Sequence, residues 1–93
     1  MKVLTPNDLF KIYSFDDEVK IQISQLYNAN KDIICKINAL CLKAKLSKVN
    51  DKSFTHLNTN CYLLKTNDLR LVFIKDNDTL CFTSISLTKQ NST

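Results

Sequence analysis

Ninety-three residues give one domain spanning 1–93, and a chain this short buries only about 60–65% of its unfolded surface, so it builds a single core. With 44% hydrophobic and 24% charged residues the composition excludes disorder, and the complete lack of glycine excludes P-loop and dinucleotide-binding turns, which need it where backbone meets phosphate. The net charge of +4 is uneven: residues 1–30 sum to −1, 31–57 to +4 and 58–93 to +1. The basic middle (Lys31, Lys36, Lys43, Lys45, Lys48, Lys52) fits a nucleic-acid or acidic-protein partner, or a plain solvated helix face.

Taken in chain order, Met1 to Thr5 is a short apolar start that reads as a strand ended by Pro6. Thr5-Pro6-Asn7-Asp8 opens a helix, with proline at an early position and an acid in the first turn; Leu9, Phe10 and Tyr13 form its apolar side. A second helix is expected from about Ser14-Phe15-Asp16-Asp17-Glu18, whose acids complement the helix dipole, with a break at Asn28-Ala29-Asn30. Ile33, Ile34, Ile37, Leu40, Cys41 and Ala44 then recur at steps of three and four, predicting a third helix that ends within Lys45–Asn50.

Beyond residue 58 the period changes to two. Cys61–Thr66, Leu69–Lys75 and Thr79–Leu87 read as three strands, joined at Asn67-Asp68 and Asn77-Asp78, residues that tolerate left-handed backbone in two-residue turns. The fold class is therefore α+β: a short N-terminal strand, two to three helices, then a C-terminal three-stranded antiparallel meander with the helices packed on one sheet face. Two-residue turns set Lys65 opposite Arg70, Leu64 opposite Leu71, Tyr62 opposite Phe73, Phe73 opposite Phe82 and Arg70 opposite Ile85. The helix-covered face then carries Tyr62, Leu64, Leu69, Leu71, Phe73, Leu80 and Phe82. The other face carries Cys61, Leu63, Lys65, Arg70, Val72, Ile74, Cys81, Thr83 and Ile85, and by parity Lys89 as well.

Cys35, Cys41, Cys61 and Cys81 form no C-x-x-C pair, and with a single histidine in the chain they argue against a zinc site. Each lies in an apolar stretch, and the first residues form no signal-peptide run, so they are expected to be reduced core thiols of a cytoplasmic protein. No segment approaches membrane-spanning length. Arg70, the sole arginine, sits mid-strand opposite another cation, an arrangement that costs stability and suits either an anion site or two side chains reaching for solvent. His56 is the one candidate general base, and equally a plain surface histidine.

Asn60-Cys61-Tyr62-Leu63-Leu64-Lys65-Thr66-Asn67-Asp68-Leu69-Arg70-Leu71-Val72-Phe73-Ile74-Lys75-Asp76 resembles the central signature of the RelE/ParE toxin superfamily, where an aromatic-led strand with basic residues turns into a strand of the "YRLVY" type. Phe82–Gln90 is similar to the family's last strand. The start, with Leu9–Tyr13 and Glu18–Gln22, is similar to its short strand and helical hairpin. The resemblance implies a toxin of a toxin–antitoxin pair, an mRNA interferase cutting ribosome-bound mRNA without metal or small-molecule cofactor, held in check by a cognate antitoxin protein.

Carried over residue by residue, Arg70 matches the strand arginine, Lys65 a basic residue of the preceding strand and Lys89 the basic end of the last. With His56 these are the catalytic candidates; Lys45, Lys48 and Lys52 are the RNA-contact candidates. Clustered cations suit the charge that builds on phosphorus under attack by a ribose 2′-hydroxyl. The sequence departs from the family at Leu63, where several members have lysine, at Gln90, where arginine is common, and in lacking a terminal Tyr or His as acid or base. Those departures leave open a weakened site, one served by His56, and a non-catalytic copy. Two other functions stay in view, a ParE-like gyrase-inhibiting toxin and a regulatory or inhibitory binding protein on the same scaffold.

Overall fold

The computed structural model describes residues 3–77 and 79–88, and its architecture is α+β, with three helices packed against a five-stranded mixed sheet. Helix α1 (Pro6–Ile12) starts as its sequence dictates. Thr5 caps it in a capping box: the threonine hydroxyl accepts from the Asp8 amide at 3.4 Å, and the Asp8 carboxylate accepts from the amides of Leu4 at 3.0 Å and Thr5 at 3.1 Å. The described residues ahead of it, 3 and 4, form no strand, although Val3 is buried.

The short strand lies after α1 instead. Strand β1 (Ser14–Phe15) interrupts the stretch where the sequence suggested a helix start, and it pairs in parallel with β5 (Thr79–Leu87), Phe15 opposite Phe82. Aromatic packing is the physical reason. Phe15 is buried against Phe82, with ring centroids 5.2 Å apart, and against the edge of Phe10 at 5.5 Å. The Asp16 amide then donates to the Phe82 carbonyl at 3.0 Å and extends the parallel pairing.

Helix α2 (Asp17–Ala29) begins only beyond that strand, with Asp17 and Glu18 in its first turn, and α3 (Ile33–Leu46) buries the six residues that its spacing singled out. The last carbonyls of α3 are satisfied from the sheet. The Lys75 ammonium donates to the carbonyls of Ala44 at 2.8 Å and Lys45 at 3.1 Å, and to that of Ser47.

The antiparallel part has four strands where three were expected. Strand β2 (Phe54–His56) joins β3 (Cys61–Lys65), β4 (Leu69–Asp76) and β5, in the order β1-β5-β4-β3-β2. Phe54 draws β2 in by packing its ring on Phe73 at 5.2 Å and Tyr62 at 5.9 Å. Both hairpins follow the expected turns: Lys65 lies opposite Arg70, and Asp76 opposite Thr79 with Asn77 at φ 52°.

A β-bulge between Val72 and Phe73 corrects the register beyond it. Phe73 pairs with Phe82, but Val72 pairs with Ser84, Leu71 with Ile85 and Arg70 with Ser86, leaving Thr83 as the extra residue. Ile85, expected on the open face, is therefore buried at 2% exposure. Strict alternation would have turned Ser84 and Ser86 toward the helices and Ile85 toward water. Burying an isoleucine gains about 1.5–3 kcal/mol, whereas an unbonded hydroxyl in the core costs a comparable amount, so the bulge wins. Beyond Phe82 the outer edge of β5 is met by α2, where the Gln22 side-chain oxygen accepts from the Ile85 amide at 3.2 Å.

The four thiols are free, but only Cys41 lies in the core; Cys61 and Cys81 are half-buried and Cys35 is exposed. Alkylation of native protein should therefore modify Cys35 first and Cys41 last, because burial pushes the Cys41 thiol up to about 12. Cys81 should also lag, its thiol raised by burial and by the Asp16 carboxylate, to which it donates at 3.6 Å. Mass spectrometry after timed labelling reads that order, and reduced and non-reduced protein should have one mobility.

Two surface carboxylates fix an acid limit. Asp8 is held below the ordinary 3.8 first by the Leu4 amide, and Asp51 first by the Ser53 amide, 2.7 Å away. Groups depressed in the folded state contribute stability that is whole above 3.8 and is lost as pH falls through their lower folded values. Urea midpoints should fall in that window, and Asp8→Asn with Asp51→Asn should flatten the fall.

Candidate functional site

One face of the sheet carries the helices; the other is open, and its side chains form rows across the strands. The register aligns Lys65, Arg70 and Ser86 in one row. Thr55, Leu63, Val72 and Ser84 form the next, and Cys61, Ile74 and Cys81 the third. Polarity thus declines along the face, from two cations to an aliphatic patch.

Arg70 and Lys65 are both exposed and face each other directly across the ladder, and neither side chain takes part in an ion pair or hydrogen bond among the described residues. The nearby acid, Asp68 in the hairpin turn, is bound at 2.8 Å to Lys36 of α3, on the far side of the sheet. Two like charges held side by side without a counter-ion cost stability, and an anion bridging them would remove that cost. Beside Arg70 lies a shallow depression of about 350 Å³, lined by Leu57, Leu63, Arg70, Val72, Ser84 and Ser86. It can accept a phosphate group: a planar guanidinium fork and two serine hydroxyls line it as donors, and Lys65, which is not part of the lining, stands beside Arg70 across the ladder.

The structure brings together only part of the expected set. Lys89 lies outside the described residues. His56 pairs with Tyr62, and its ring stacks on that buried tyrosine at 4.5 Å, so it occupies the rim of the helix-covered side, away from Arg70. Lys45 and Lys48 line a hollow beside Lys75 and Asn77. Lys75 lies five residues, about 17 Å of strand, beyond Arg70. Lys52 precedes β2, whose first residue pairs with Leu64, so of the three it alone enters at the Lys65 end.

Ser84 and Ser86 were missed because strict alternation hides them. Their one signal is the three-residue spacing of Phe82 and Ile85, two core-type residues that cannot share a face without a bulge. Among the described residues, no histidine or carboxylate occupies the Arg70 row or the row next to it. No protein-family model, curated protein or solved structure matches this chain. The arrangement itself therefore carries the functional argument.

Proposed function

We propose that this protein is a RelE-like toxin of a toxin–antitoxin pair, a metal-independent endoribonuclease acting in the cytoplasm on ribosome-bound mRNA and restrained by a cognate antitoxin. The observation that carries the reading is the exposed Lys65–Arg70 pair, two facing cations without a counter-ion beside two serine hydroxyls. The element order supports it in part: helices precede an antiparallel meander, as the resemblance implies, but the short strand falls between the two helices matched to the family's hairpin rather than ahead of them.

In the proposed reaction the ribose 2′-hydroxyl attacks the adjacent phosphorus and displaces the 5′-oxygen. Charge builds on the non-bridging oxygens, where Arg70 and Lys65 stabilise it more than they stabilise the ground state. The 2′-hydroxyl gives its proton to solvent water and the departing 5′-oxygen takes one from water, since no histidine or carboxylate occupies the Arg70 row or the next among the described residues.

That lack, together with the aliphatic Leu63, Val72 and Ile74 surface, favours a second reading in which the open face grips a protein, as in a ParE-like gyrase inhibitor or a non-catalytic binding protein. Induction in growing cells, with RNA ends and plasmid supercoiling mapped in parallel, separates the two. Cut mRNA with normal supercoiling supports the nuclease. Altered supercoiling over intact RNA moves the gyrase reading ahead, and undisturbed growth leaves the inactive copy.

A further inference from the structure

Helix α3 has a second apolar stripe that the core does not use. Cys35, Ala39, Leu42 and Leu46 recur at steps of four, three and four, all exposed and diametrically opposite the buried Ile37 and Ala44. Leu42 is 45% exposed and Leu46 70%, and Val49, just past the helix end, continues the spacing at 45%. A helix apolar on two sides ordinarily has a partner on each. The four-three alternation is the seam of a helix pair, in which every knob meets a hole of the facing helix. Small residues at the Cys35–Ala39 end permit close approach, and the larger leucines at the other end provide knobs.

The rim of this stripe is basic. Lys36 and Lys43 flank it on one side and Lys45 on the other, and α3 contains no acidic residue. Asp68 pairs with Lys36 and Asp51 lies near Lys43, yet residues 31–57 retain their net charge of +4. A second copy of the chain would set lysines against lysines along the seam, which disfavours self-association. A lipid surface would be met without any aromatic residue on the stripe, and its breadth suits a single helix better than a bilayer.

We propose that the outer face of α3 docks an acidic amphipathic helix of another protein, with apolar residues at seam spacing and carboxylates on both flanks. The site lies on the helix side of the sheet and is independent of the open-face reading. Two heptads of contact make a modest interface, so charge governs the choice of partner as much as apolar burial governs affinity.

The test uses the full chain and two labelled three-heptad peptides with leucine at both seam positions, one flanked by glutamate and its twin by lysine. Anisotropy titrations at low salt should show the glutamate peptide binding at least about tenfold tighter than its twin. Leu42→Asp with Leu46→Asp should abolish that binding, and since both side chains are exposed the fold should persist, as circular dichroism would report. Lys43→Glu with Lys45→Glu should reverse the preference between the peptides. Equal binding of the two peptides, or binding untouched by the leucine changes, overturns the proposal. So does binding only to phosphatidylserine vesicles, or self-association that the leucine changes remove.

Discussion

Replacing Arg70 with alanine is expected to lower RNA cleavage about a hundred- to thousandfold and to end growth inhibition, because losing one pre-organised donor to a developing charge costs about 3–4 kcal/mol. The side chain is exposed on the open face and makes no hydrogen bond or ion pair among the described residues, so its removal leaves no cavity and no orphaned partner. It also removes one of two cations that face each other across the ladder, so the melting temperature should hold or rise slightly. That separation of effects, activity lost and stability kept, distinguishes a phosphate site from a structural residue. Arg70→Lys should rescue only partly, since an ammonium presents a point charge where the guanidinium presents a planar fork. Lys65→Ala should weaken cleavage by less. Parental cleavage and toxicity in Arg70→Ala would sink the nuclease assignment, and toxicity without cleavage in either protein would favour the gyrase-type target.

Much of the fold was legible because its signals are local. The periods of three to four residues in α3 and of two in β3 and β4 correspond to faces that are in fact buried, and the Asn-Asp turns set the Lys65–Arg70 pairing by chain geometry alone. What was hidden depends on partners distant in sequence. Ser14 and Phe15 carry no strand signal of their own and become a strand because Phe82 gives the phenyl ring a neighbour. Phe54 to His56 is too short to read as a strand without Phe73 behind it. The same distinction explains the site. Lys65 and Arg70 are joined by one short hairpin, whereas His56 was a candidate only by being the sole histidine, and its strand partner Tyr62 turns it to the other side.

The largest stability effect is expected at Phe73. It is fully buried in the central strand β4, with its ring 5.2 Å from that of Phe54, 5.7 Å from Tyr62 and 6.0 Å from Phe82. Phe73→Ala removes the group on which three strands converge, and a truncation of this kind costs about 3–5 kcal/mol once the residual cavity is included. A domain of this size has roughly 5–14 kcal/mol to lose, so the melting temperature should fall by about 15–30 °C and expression should suffer. Val72, adjacent in sequence but half-buried on the open face, should cost only about 1 kcal/mol as alanine. The bulge extends the comparison to β5: Ile85→Ala should cost about 2–5 kcal/mol and Thr83→Ala far less, whereas strict alternation would put both residues on the open face and make both changes mild. Thermal melts of the four variants measure the register directly. A larger loss at Val72 than at Phe73 would mean that the sheet faces are assigned the wrong way round, and with them the position of Arg70 on the open side.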